Sequence, residues 1–155
     1  MLKVLIAEDE DIIRKGLVYT VDWLAMDCVV VAEAANGQEG LEKILEVRPD
    51  VVIADICMPF LDGIEMIKKA SETVKFKGIL LTSYADFEYA RRAIDARVCE
   101  YLLKPVDEEK LAETMKRLNE EITSSKQMEY VMEQAEMEGG TLNLDYYMQL
   151  DVSEN

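Results

Sequence analysis

Apolar residues in this chain fall into short continuous runs separated by stretches with helical spacing. The run Leu2-Lys3-Val4-Leu5-Ile6-Ala7 predicts a first strand. After the acidic Glu8-Asp9-Glu10-Asp11, the residues Ile12, Ile13, Leu17, Val21 and Leu24 recur at helical spacing, with Asp11 placed as N-cap. Residues 28–32 read as a valine-rich second strand and Asn36-Gly37 as a turn. Leu41, Ile44 and Leu45 then mark the buried side of a second helix, which Pro49 closes. Val51-Val52-Ile53-Ala54 predicts a third strand that runs into Asp55 and is stopped at Pro59. Past Asp62-Gly63, Ile64, Ile67 and Ala70 lie on one side of a third helix. Residues 78–83 predict a fourth strand ending in hydroxyls, and residues 86–96 a fourth helix carrying Phe87, Ala90 and Ile94. Tyr101-Leu102-Leu103, stopped by Lys104-Pro105, is a fifth strand; Leu111, Met115, Leu118 and Ile122 give a fifth helix with Asp107 near its start.

Strand and helix alternate five times, which requires right-handed crossovers and a parallel sheet with helices on both faces. The expected fold is α/β, a doubly wound flavodoxin-like (βα)5 domain with strand order 2-1-3-4-5. It occupies residues 1–123, leaving residues 124–155 as an acidic, Met-rich helical extension or linker.

Composition narrows the function. A net charge of −15 with no cluster of Lys and Arg argues against a bare nucleic-acid binder. No histidine is present, which removes histidine-based acid/base catalysis and nucleophilic triads. Cys28, Cys57 and Cys99 lack CxxC spacing and read as reduced thiols. The chain enters a strand at once and has no apolar run of membrane-spanning length, so a cytoplasmic location is expected.

In open α/β sheets, ligands bind at the carboxyl ends of the strands. Glu8 and Asp9, Asp55, Thr82 and Lys104 each follow or end a different predicted strand at that rim. Taken singly, each is ordinary: an acidic loop that caps a helix, a turn aspartate, a strand-end hydroxyl, a lysine before proline. Together, three crowded carboxylates call for a cation, and all-oxygen ligands suit Mg²⁺. Asp9 and Asp55 are candidate direct ligands, with Glu8 acting through water and the Cys57 backbone carbonyl completing the set.

The ordered motifs Ala7-Glu8-Asp9-Glu10, Asp55-Ile56-Cys57-Met58-Pro59 with Asp62-Gly63, Leu81-Thr82-Ser83, and Tyr101-Leu102-Leu103-Lys104-Pro105 resemble those of bacterial two-component response-regulator receiver domains. The resemblance covers residues 2 to about 122. Asp22-Trp23, Asp86-Phe87-Glu88-Tyr89-Ala90 and Leu103-Lys104-Pro105-Val106-Asp107 are similar to receivers that precede AraC-type DNA-binding domains. The resemblance implies that Asp55 accepts a phosphoryl group from a phosphohistidine on a sensor histidine kinase, with Mg²⁺ as cofactor. It implies that Thr82 and Lys104 contact phosphoryl oxygens. Thr82 and Tyr101 are then the switch that remodels the face of the fourth helix, fifth strand and fifth helix. Cys57 and Tyr84 occupy positions that flank the phosphoryl group, and bulky Tyr84 is expected to slow hydrolysis. Arg97 stands where receivers often carry glycine, so a different local turn is expected there.

Two other classes fit less well. An aspartate-nucleophile phosphatase would carry a second aspartate where Cys57 stands, and a nucleotide or flavin binder would carry a glycine-rich loop after the first strand. The chain is therefore expected to be a phosphoacceptor and no turnover enzyme. Beyond residue 123, Met128, Val131, Met132 and Ala135 recur at helical spacing before Gly139-Gly140, while Ser124-Ser125 interrupt the apolar stripe. One lysine against seven acidic residues excludes a DNA-binding arm there. The extension is either a linker or dimerisation helix, or a segment that packs back on the receiver. Expected partners are a sensor histidine kinase and a second copy, through the switch face or the C-terminal helix. DNA is reached only through an output domain that follows. The alternative is a stand-alone receiver acting by protein contact or as a phosphorelay intermediate.

Overall fold

The computed structural model describes residues 1–83, 86, 88, 91 and 98–137. Five strands, β1 (Leu2–Ala7), β2 (Cys28–Ala34), β3 (Val51–Asp55), β4 (Lys77–Thr82) and β5 (Val98–Leu103), form one parallel sheet in the order β2-β1-β3-β4-β5. Helices α1 (Asp11–Thr20), α2 (Gly37–Val47) and α3 (Gly63–Ser71) follow the first three strands. This is the predicted doubly wound architecture. Of the predicted fourth helix only residues 86, 88 and 91 are described, so Phe87, Ala90 and Ile94 lie outside the described residues, as does Arg97.

Every residue of β3 is buried, because this central strand is covered on both faces and paired on both edges. Leu5, Ile6, Ile53, Ile79, Leu80 and Leu81 are at most 1 % exposed. Removing one such side chain from water is worth roughly 1.5–3 kcal/mol. Asn36 and Asp62 start their helices by accepting the N–H groups of Glu39 and Glu65, each at 2.8 Å. Asn36-Gly37, read as a turn, is thus the N-cap and first residue of α2. Asp107 does the same for the C-terminal helix, accepting Glu109 N–H at 2.9 Å.

Several sequence expectations shift. α1 begins at Asp11, and its N-cap position is Glu10, which makes no side-chain cap bond. Asp11 is instead held by Arg14. The predicted apolar face of α1 is only partly right: Leu17 is buried, while Ile12 is 89 % and Leu24 71 % exposed. Arg14 takes a buried place on that face. Leu45 of α2 is also exposed, whereas Ile44 is fully buried. The second and fifth strands run longer than predicted, to Ala34 and from Val98.

The chain divides into two units, Met1–Lys116 and Arg117–Asn155. The C-terminal helix runs unbroken from Glu108 to Met137, through Ser124 and Ser125. Neither glycine nor proline occurs within it, and serine lowers helix propensity by only tenths of a kcal/mol. In the second unit Ala135 is buried, while Tyr130, Met132 and Met137 are exposed.

Candidate functional site

Strand register brings the polar residues together. Ala7 pairs with Ala54, Asp55 with Leu81, and Thr82 with Leu103. Glu8 and Asp9, Asp55, Thr82 and Lys104 therefore leave four adjacent strands within two residues of one another along the strand axis. Lys104 N–H donates to the Thr82 carbonyl at 2.8 Å, extending the β4–β5 ladder to the lysine itself, and the Lys104–Pro105 peptide is cis.

Charge crowds at the centre of this rim. Lys104 Nζ donates to Asp55 Oδ2 at 2.9 Å and lies 3.5 Å from Glu8 Oε1. Glu8 is fully buried, Asp55 is 5 % exposed, and neither Glu8 carboxylate oxygen has a hydrogen-bond partner. Burial first, then the facing Asp55 carboxylate, push the Glu8 pKa up to about 8 from 4.5, against the pull of Lys104. Burial lowers Lys104, but the hydrogen bond and charge of Asp55, then the charge of Glu8, outweigh it, so its pKa is raised. Glu8, Asp9 and Asp55 can each place an oxygen within 4.8 Å of the others. Buried carboxylate oxygens with no donor are costly unless a cation takes them. The all-oxygen set fits a hard divalent ion such as Mg²⁺.

The other predicted residues stand at the margin. Thr82 is buried and its hydroxyl donates to the Ser83 carbonyl at 3.0 Å. Tyr101 is half-buried against the core cluster, and burial raises its phenol pKa. Cys57 is exposed; partial desolvation of its thiol, then the Asp86 and Asp55 carboxylates, raise its pKa. Tyr84 lies outside the described residues.

Arg14 was not expected here. Its Nη1 donates to the Glu8 carbonyl at 2.7 Å, its Nε to Glu33 Oε1 at 3.0 Å, and its Nη2 to Asp11. Burial lowers its pKa, but the bonds to Glu33 and Asp11 outweigh this and raise it. The rigid guanidinium fork thereby ties α1, β2 and the acidic loop together. Its sequence signal was a cation three residues before Leu17, on the face of α1 that meets the sheet.

Residues 4–116 match the response regulator receiver domain family. The chain belongs to the response-regulator receiver family. The transcriptional regulatory protein YesN of Bacillus subtilis is 38 % identical over 125 residues, covering 79 % of this chain and 33 % of that protein. HptR of Staphylococcus aureus, also a transcriptional regulatory protein, is 38 % identical over 118 residues, 76 % of this chain and 46 % of its own. Among solved structures, the receiver domain of AraT, a response regulator from Geobacillus stearothermophilus, is 41 % identical with a TM-score of 0.76, covering 81 % of this chain and 98 % of that one. A two-component transcriptional regulator AraC from Clostridium phytofermentans is 28 % identical with a TM-score of 0.72, over 81 % and 98 %. The chain spans about a third to a half of the length of the curated relatives it matches. Phosphorylation and Mg²⁺ binding are general features of the family, and its members interact with histidine kinases. Among the described residues, no helix is long and apolar enough to cross a membrane.

Proposed function

We propose that the chain receives a phosphoryl group on Asp55 from the phosphohistidine of a sensor kinase, in a Mg²⁺-dependent transfer, and relays its state through the face of the fourth helix, β5 and the C-terminal helix. One observation carries this reading: Lys104 Nζ, 2.9 Å from Asp55 Oδ2, is the partner of a carboxylate that faces a second, fully buried carboxylate. One ammonium among three carboxylates leaves the pocket anionic, which suits a cation and repels an anionic donor without one. Asp9 and Asp55, the Cys57 carbonyl, and Glu8 through water would hold the Mg²⁺, which would neutralise charge on the transferring group.

The protein's own groups supply the rest. The Asp55 carboxylate attacks phosphorus, a P–O bond forms, and the donor's P–N bond breaks with its electron pair leaving on the imidazole. Asp55 then loses its carboxylate charge, so Lys104 follows the negative charge onto a phosphoryl oxygen. The Thr82 hydroxyl, now bonded to the Ser83 carbonyl, turns to donate to another, and Tyr101 moves into the space behind it. By the family resemblance, Cys57 and Tyr84 hold the sequence positions that influence hydrolysis; a Tyr84→Ala chain that dephosphorylates at the wild-type rate removes Tyr84 from that role.

Residues 1–123 are the receiver, and residues 124–155 lead toward an AraC-type DNA-binding output that follows. The partial coverage of YesN and the fit to the AraC-type structure support this. The site functions as a signal acceptor in the cytoplasm and not as a turnover enzyme. Incubation with acetyl phosphate and Mg²⁺ is the test, read by intact mass. The wild-type chain gains one labile phosphoryl group; persistence of that adduct in Asp55→Ala, or its formation at the same rate in EDTA, overturns the assignment.

A further inference from the structure

Phe60 combines two features that both oppose stability. Its φ is +70°, a region that suits glycine or asparagine and is an outlier for a bulky side chain. Leu61 N–H donates to the Pro59 carbonyl at 2.8 Å, closing a three-residue turn with Phe60 at its centre. A turn of this kind with positive φ is the rare, strained form. The side chain is nonetheless 86 % exposed, so burial within the chain offsets none of this. Ile12 and Leu24 are similarly exposed but at negative φ, as single surface apolar residues often are. Phe60 alone joins the two features among the described residues.

The surroundings hold this turn rigidly. The Pro59 carbonyl also accepts Gly37 N–H at 3.4 Å, and a Cβ on Gly37 would come within 1.7 Å of the Leu61 carbonyl oxygen. On the other side, Gly63 N–H donates to the Ile56 carbonyl at 2.8 Å, and a Cβ on Gly63 would lie 2.2 Å from the Asp55 carbonyl oxygen. Met58, two residues before Phe60, is in the core. Two glycines that let backbone pack on backbone, with a buried methionine between them in the chain, fix the loop. Strain persists where neighbours over-determine the conformation, and an observed outlier of this kind motivates a functional reading.

Phe60 follows Asp55 by five residues on the same loop. A small phosphodonor needs only the pocket of Glu8, Asp9, Asp55 and Lys104. A protein donor must bring its imidazole to bonding distance of Asp55, and its flank then covers the adjoining loop. We propose that Phe60 is an aromatic anchor for the phosphodonor protein, its ring entering an apolar recess beside the donor histidine. This rests on the phosphoacceptor reading above. A ring already fixed in its presented position loses little conformational freedom on docking, which is where buried aromatic anchors draw their strength.

The test uses the full chain, as wild type, Phe60→Asn and Phe60→Gly, with two donors. One is acetyl phosphate; the other is a phosphorylated sensor-kinase cytoplasmic fragment, chosen from a panel for fastest transfer to wild type. Both variants should accept from acetyl phosphate at the wild-type rate. Phe60→Asn should melt about 2–4 °C higher as the turn relaxes. Transfer from the kinase fragment should fall about tenfold in kcat/KM for both. Undiminished kinase transfer overturns the proposal, as does an equal loss with both donors, which would place Phe60 in support of Asp55 itself. A beryllium fluoride-dependent dimer that both variants abolish, with kinase transfer intact, would assign the ring to a second copy and overturn it too. Failure of wild type to react with acetyl phosphate would instead sink the underlying phosphoacceptor reading.

Discussion

Glu8→Gln should stabilise the metal-free chain at alkaline pH and leave it nearly unchanged at pH 5. Glu8 is fully buried, with its pKa pushed up to about 8 from 4.5. Between those values the folded chain keeps a proton on Glu8 that the unfolded chain has released. Stability from this group is therefore complete below pH 4.5 and is lost as pH rises through 8. A displacement of about 3.5 units at 1.36 kcal/mol each sets a ceiling of roughly 5 kcal/mol. Relaxation around the buried carboxylates reduces it, so a difference of about 2–4 kcal/mol is expected. The glutamine amide is neutral throughout this range, so it mimics the protonated, low-pH state of Glu8. Urea unfolding followed by circular dichroism, in EDTA from pH 5 to pH 9, measures the difference between the two chains. Wild type should fall relative to Glu8→Gln by at most ~1.4 kcal/mol per pH unit. Mg²⁺ should remove most of that fall in wild type, because the ion binds the deprotonated site. Parallel curves for the two chains across this range would refute the reasoning.

Arg14→Ala should destabilise the chain by about 1–3 kcal/mol in urea unfolding, since it strands the Glu8 carbonyl and the Glu33 carboxylate. Arg14→Lys should recover less than half, because a single ammonium cannot span three acceptors held by a planar fork. Gly63→Ala, whose Cβ would lie 2.2 Å from the Asp55 carbonyl oxygen, should lose about 1–3 kcal/mol and weaken Mg²⁺ binding measured by calorimetry. Gly16→Ala in α1, with nothing within 4 Å of the added Cβ, should instead gain about 0.5–1 kcal/mol.

The rim was legible because its parts obey a simple rule. A buried run ending in a polar residue marks the carboxyl end of a parallel strand, so Glu8, Asp55, Thr82 and Lys104 could be placed on one edge before any coordinates. Their mutual distances could not, because those depend on register, which sequence periodicity does not encode across a crossover. Helix faces were legible only in part. On α1, Ile12 is exposed and Arg14 buried, against a purely apolar reading, because the guanidinium finds acceptors in the Glu8 carbonyl, Glu33 and Asp11. Ser124-Ser125 interrupt the apolar stripe, and the helix continues through them, since a gap in an apolar stripe is no barrier to backbone hydrogen bonding. Asp11 had the right chemistry for a cap, but its exposed carboxylate pairs with Arg14 instead.

Trp23, the chain's single tryptophan, gives this molecule an optical vantage point. It is 6 % exposed, and its indole N–H donates to the Leu17 carbonyl at 2.9 Å. Its own carbonyl accepts Cys28 N–H, the first residue of β2, which pairs with Leu2 at the start of β1. The fluorophore thus sits at the amino ends of the strands, and Asp55 at the carboxyl end. Six residues of β1 separate those edges by about 20 Å. Direct quenching by a cation or phosphoryl group at Asp55 does not act across that span. Any emission change on adding Mg²⁺ or a phosphodonor therefore reports motion carried through the sheet or α1, while an unchanged spectrum with a bound ion marks an event confined to the rim.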